Sequence, residues 1–345
     1  MKKADLIIAD EILSRQISLM RFTAGEKKKV FQIFLQMQDE LKAKLQNGFT
    51  SFERARITKL LAECTKIING FYDGIQSQFD FSGLAKAEAE ASQKALAIIG
   101  LDVSAPSASV LKAMVSDTLL QGAPLKDWWA AQKDAFVFKF NAQVRQGVAQ
   151  GETLQQIIKR VVGSQVEGST GVVTLAQRHA STLVHDSIMQ IANDSKLAVY
   201  RENSDVVKGV HWLATFDSHV CATCAALNGA EWDLEGNPIN DTKFQFQAPP
   251  LHPNDRCVLT PITKTYKELG IDIPEMDVST RASDLGQIKA DTSFSSFLKR
   301  HDAAYADNLL GKGKAELWRS GKITLTDLIS QNGRELTLKQ LQAGL

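Results

Sequence analysis

The stretch "HVCATCAALNG", residues 219–229, decides how this chain is read. Cys221 and Cys224 stand two residues apart in a chain with only 4 cysteines. Such a pair is a redox couple, half of a metal site, or a coincidence. The question is whether the chain supplies two more ligands. "PPLHPNDRC", residues 249–257, offers His252 and Cys257. Zinc takes four nitrogen or sulfur donors in a tetrahedron. The spacing therefore points to Cys221, Cys224, His252 and Cys257 as one structural zinc site. Pro249, Pro250 and Pro253 stiffen the approach and lower the entropy lost when the ligands are gathered. Arg256, beside a ligand, is placed to offset thiolate charge. Asp255 and His219 are alternative ligands, and an open site built on either one points to hydrolysis instead. A thioredoxin-like motif opens a helix within a βαβ unit. Here Asn228-Gly229, a tight-turn signal, follows too closely for that.

Working outward, the chain changes character around this stretch. "VVKGVHWLATFD" is β-branched and aromatic and predicts a strand, and "RCVLTPIT" predicts another. A β-rich element over roughly residues 206–263 thus carries three of the cysteines. An element this small is marginal alone, and a structural zinc contributes on the order of 10 kcal/mol to such folds.

The flanks read as helical. Val30, Phe34, Met37, Leu41 and Leu45 recur at helical spacing, and Thr23 with Glu26 matches a capping box that predicts a helix start. Thr50 and Glu53 suggest a second start, followed by the stripe Ile57, Leu60, Cys64, Ile67 and Phe71, with Gly48 as the stop between the two helices. Cys64 reads as a buried structural thiol. Gly100 and Pro106 mark a hinge. Two helices joined by "GVAQGET" follow, with Thr153 or Glu152 near the second start, then a long helix through "QRHASTLVHDSIMQIANDSKLAVYREN". Residues 264–345 read as helical and loop. The fold class is α+β, mainly helical: a helical N-terminal region (1–105), a helical lead-in to the zinc-stapled element (106–263), and a helical and loop tail (264–345).

Composition narrows the function. The 345 residues are 44% hydrophobic and 23% charged, with 40 basic and 39 acidic side chains and a net charge of +1. A wholesale nucleic-acid coat would be more basic, so any DNA contact is local. Lys264, Lys267, Lys299, Arg300, Lys312, Lys314 and Arg319 give such local charge. No run of about 18 apolar residues occurs, so no membrane span is expected. No P-loop, GxGxxG, GxSxG or HExxH motif is present. No catalytic set is expected.

"HWLATFDSHVCATCAALNGAEW" followed by "PPLHPNDRC" resembles the phage Mu F-like head morphogenesis, or minor head protein, family. The family pattern falls on Trp212, Thr215, Asp217, Cys221, Cys224 and Gly229, then on Pro249, Pro250, His252, Pro253, Arg256 and Cys257. Asp255 stands where the family has a cysteine. The resemblance extends over about residues 110–345. It implies a virion component of a tailed phage or prophage, made in the host cytoplasm and acting in head assembly. Its implied partners are the portal protein, the major capsid or scaffold protein, and DNA inside the head, without a membrane. The competing classes are a metal-dependent nuclease or toxin-like effector, and a zinc-containing DNA-binding module.

Overall fold

Helix α1 (Lys3–Gly48) runs without a break through Thr23 and Glu26, so the expected capping box is not a helix start. The reason lies in its buried stripe. Ile12, Gln16, Leu19, Thr23, Glu26, Val30, Phe34, Met37, Leu41 and Leu45 are all buried, at steps of three and four residues. Thr23 and Glu26 occupy positions inside that stripe. Their polarity hides its continuity, and the carboxylate of Glu26 accepts a hydrogen bond from Lys29 Nζ at 2.8 Å. The computed structural model describes residues 3–49, 54–164, 169–217, 219–270, 280–283, 286–289, 293–331 and 333–344. The Thr50–Glu53 box lies outside them.

After α1 come α2 (Arg54–Ile75), α3 (Phe81–Leu96), α4 (Ala108–Asp117), α5 (Leu125–Ala149), α6 (Leu154–Val162) and α7 (Val172–Glu202). The central strand, Val207–Leu213, precedes α8 (Ala222–Leu227) and the strands Glu231–Asp233 and Val258–Thr263. Four short helices close the described chain: α9 (Phe294–Leu298), α10 (Ala303–Leu310), α11 (Lys312–Arg319) and α12 (Leu338–Ala343). The chain is thus mainly helical with small antiparallel sheets. The tail is not only helix and loop, because Thr280–Ser283 pairs antiparallel with Gly286–Lys289. Neither strand carries an alternating apolar pattern that would announce it. No helix among the described residues is long and apolar enough to cross a membrane.

The chain divides into two compact units. One comprises Met20–Phe81 and Ser116–Ile188. It is a helical core in which Phe34, Trp129 and Phe136 pack around the Tyr72 ring, at 5.9, 6.4 and 6.2 Å between ring centres. The α2 stripe follows Ile57, Leu60 and Cys64 as expected, then continues through Ile68, Tyr72 and Ile75. Ile67 and Phe71 lie on its half-buried flank. Thr153 caps α6 in a full capping box with Gln156, whereas Glu152 pairs with Arg160.

The other unit comprises Met1–Leu19, Ser82–Val115 and Met189–Leu345 and holds the three-stranded sheet. The Val207–Leu213 strand lies in the middle, antiparallel to both neighbours. Val210 faces Trp232 on one side, and Trp212 faces Leu259 on the other. Gly209 sits at a bulge where a Cβ would come within 2.3 Å of the Trp232 carbonyl oxygen, so only glycine fits. Trp212, Trp232, Val258 and Leu259 are fully buried. The sheet is tied into helices by polar contacts. Asp5 Oδ1 accepts from Thr263 N at 2.9 Å and from its hydroxyl at 2.6 Å. Tyr200 donates to the Leu259 carbonyl at 3.3 Å. Beneath it, the buried Glu88 carboxylate bridges Arg15 at 2.7 Å and the fully buried Lys196 at 3.2 Å.

Candidate metal centre

The first ligand pair is set by the end of the central strand. Cys221 is the N-cap of α8, and its sulfur accepts from Cys224 N at 3.3 Å. The helix has six residues and ends at Asn228. A helix does therefore open after Cys221, contrary to the expectation from Asn228-Gly229. The redox reading still lacks its βαβ frame, since the sheet here is antiparallel. Asn228 (φ −60°, ψ 119°) and Gly229 (φ +95°) form a type II turn closed by Ala230 N donating to the Leu227 carbonyl at 2.9 Å. The turn joins helix to strand, not strand to strand. Asn228 Oδ1 also accepts from Ala214 N at 3.1 Å.

The second pair comes from the loop before the Val258–Thr263 strand. His252 Nε2 lies 3.1 Å from Cys221 Sγ and 3.3 Å from Cys224 Sγ. Its Nδ1 lies 3.1 Å from the Pro253 carbonyl oxygen, a hydrogen bond that orients the ring. Cys257 is buried, and its carbonyl accepts from Asn193 Nδ2 at 3.4 Å. The donor atoms form two groups, each within 4.8 Å: Cys221, Cys224 and His252; and Cys224, Asp255 and Cys257. Cys224 belongs to both. His219 belongs to neither and is largely exposed, its backbone N–H donating to Asp217 Oδ1 at 2.8 Å. All four cysteines are free thiols, and Cys64 is fully buried with burial pushing its pKa up to about 11.

Arg256 is engaged by a carboxylate. Its guanidinium forks onto Asp217, with Nη1 to Oδ2 at 2.8 Å and Nη2 to Oδ1 at 2.6 Å. Burial alone would raise the Asp217 pKa. The Arg256 fork and the His219 N–H outweigh it and hold the pKa below the usual carboxylate value. The Arg256 carbonyl in turn accepts from Gln16 Nε2 at 3.1 Å. Sequence reading placed both charged residues but not their pairing. Opposite charge at two motif positions was the available signal. His211 lies with Nδ1 3.3 Å from Glu231 Oε1.

The electrostatics suit a cation. The Cys221 thiol is drawn down to about 4, chiefly by Cys224 lying against it and then by His252. His252 is raised to about 9 by the Cys221 sulfur. The neighbouring sulfurs of Cys221 and Cys257, together with burial, raise Cys224, and burial pushes Cys257 up to about 12. A tetrahedral zinc would separate such donors by about 3.5–3.8 Å, given bonds of about 2.0–2.3 Å. The observed sulfur–nitrogen gaps fall a few tenths of an ångström short of this, and the soft donor set is one that zinc favours. Cys221, Cys224 and His252 are spaced for such an ion, whereas Cys257 groups with Cys224 and Asp255.

Residues 139–260 match the model of the family described as Phage Mu protein F like protein. This span contains Cys221, Cys224, His252, Asp255 and Cys257, and it is narrower than the 110–345 of the sequence resemblance. No curated protein and no solved structure matches the chain.

Proposed function

We propose that this chain, a Mu F-like phage protein by its residues 139–260, acts in phage head morphogenesis as a minor head protein. It works at the portal vertex, near packaged DNA, and is made in the host cytoplasm before it enters the virion. Part of residues 1–105 provides the docking region for the portal, with major capsid or scaffold protein as further contacts. The observation that carries the reading is that the matched span encloses Cys221, Cys224 and His252 as one group of donors and Cys257 in an adjoining group that shares Cys224.

Within this reading the centre holds a structural zinc. Cys221, Cys224, His252 and Cys257 are its ligands, and the ion supplies a cross-link between two distant chain segments. Four protein donors close the coordination sphere and leave no place for a reactive water. That favours an assembly role over a metal-dependent nuclease. The full chain, mixed with the portal protein of its own phage, should co-purify with it, and heads should contain the chain. Plasmid cleavage with Mg2+ or Zn2+, lost in His252→Ala, together with absence from heads, would overturn the proposal in favour of an enzyme.

A further inference from the structure

We infer that Asp255 is a positioning residue for the metal centre and that Cys257, not Asp255, is the fourth ligand. The inference rests on the metal reading given above. The Asp255 side chain is almost fully buried, and both of its oxygens are engaged. Oδ2 accepts from Leu251 N at 2.8 Å, and Oδ1 accepts from Cys257 N at 2.9 Å. One donor precedes His252 and the other belongs to Cys257. A single carboxylate therefore clamps both ligand-bearing ends of the loop. The turn between them is closed by Asp255 N donating to the His252 carbonyl at 3.1 Å, with Asn254 in the left-handed region at φ +60°.

Turning this carboxylate toward an ion would strip a buried and a part-buried backbone N–H of their acceptor. The Cys257 thiol faces no such loss. It is buried in the same group as Cys224 and beside the Asp255 carboxylate, so it can turn to an ion without freeing either N–H. Asp255 Oδ1 also lies 3.6 Å from Cys224 Sγ. It adds negative potential beside the cation without entering the coordination sphere. The loop is thus held in its ligand-bearing shape before the ion arrives, as outer hydrogen-bond partners of metal ligands do elsewhere.

The test uses the full-length protein, freed of metal and titrated with Co2+, whose thiolate charge-transfer and d–d bands report ligand number and geometry. Wild type should show a tetrahedral centre. Asp255→Asn should give the same band positions and intensities, with affinity weaker by about 10–100-fold. Cys257→Ser should lose about a third of the charge-transfer intensity, one of three Co–S bonds. Amide exchange in the metal-free protein provides a reading that does not depend on the ion: the Leu251 and Cys257 amides should both be protected in wild type, and one of them exposed in Asp255→Asn, whose side chain keeps a single acceptor oxygen. Shifted d–d bands in Asp255→Asn, or an unchanged spectrum in Cys257→Ser, would make Asp255 the ligand. Equal Co2+ affinity of Asp255→Asn and wild type would also overturn the inference. No tetrahedral Co2+ spectrum in wild type would overturn the metal reading itself, with this inference falling alongside it.

Discussion

Arg256 and Asp217 form a two-pronged ion pair at 2.8 and 2.6 Å that joins the segment before Cys221 to the segment holding Cys257. The pair is only partly exposed, so its hydrogen bonds are worth more than those of a surface bridge. Asp217→Asn should destabilise the protein by about 1.5–3 kcal/mol at neutral pH, the range for hydrogen bonds to charged groups. The sign with pH follows from the depressed pKa. The folded state favours the ionised carboxylate, so its stabilisation is present above the unfolded value near 3.8 and fades as pH falls below it. Urea unfolding of metal-free wild type and variant at pH 7 and pH 3 checks this. A difference that stays constant across that range would show that the Asp217 charge is not what matters.

The ligand assignment separates the cysteines. Cys221→Ser, Cys224→Ser and Cys257→Ser should each lower bound zinc in the purified protein. Cys64→Ala should leave zinc at the wild-type level, because its sulfur is buried in the helical unit that does not contain the centre. Metal analysis by mass spectrometry reads this directly. Equal zinc loss from all four changes would contradict the assignment.

Chelation should loosen the chain locally. The segment carrying Cys221 and Cys224 should lose hydrogen-exchange protection, while the 251–257 loop clamped by Asp255 and the 207–213 and 258–263 strands keep theirs. The strands are held independently: Asn193 Oδ1 accepts from Leu259 N at 3.4 Å, and Asp5 accepts from Thr263. Loss of protection across the whole sheet on chelation would mean that the ion supports the fold and not only the loops.

That expectation differs from the one the sequence suggests, and the difference shows what was legible. The β-branched run to Leu213 and the Cys and His spacing were readable because each is a local pattern. A marginal β element was a fair reading of residues 206–263 taken alone. Asp5 and Gln16 could not be foreseen as its supports, since they come from the start of a helix more than two hundred residues earlier in the chain. Helix α8 escaped notice because its six residues are too few to show a helical stripe. The unbroken run of α1 was hidden by Thr23 and Glu26, polar residues at buried stripe positions.

Gly229 offers a clean test of the turn that leads out of α8. Its φ of +95° is a region that L side chains rarely adopt, yet nothing lies within 4 Å of where a Cβ would stand. Gly229→Ala should therefore cost about 1 kcal/mol through backbone strain, with no steric term. A much larger loss in thermal unfolding would mean that the turn is packed more tightly than this.

The buried charges at Lys196 give the largest predicted effect. Lys196 and Glu88 are fully buried, and Lys196 Nζ also donates to the Ala192 carbonyl at 3.3 Å. Burial lowers the Lys196 pKa, while the Glu88 charge opposes that shift. Glu88→Gln removes the negative partner of two cations, one of which has no access to water. Breaking a buried pair in this way costs about 3–5 kcal/mol. Replacing both partners, as Glu88→Gln with Lys196→Met, leaves no cation buried without a counter-charge and should recover a substantial part of that loss. Denaturant unfolding of the single and double variants measures the coupling. If the double variant is as unstable as the sum of its singles, the two charges do not act as a pair.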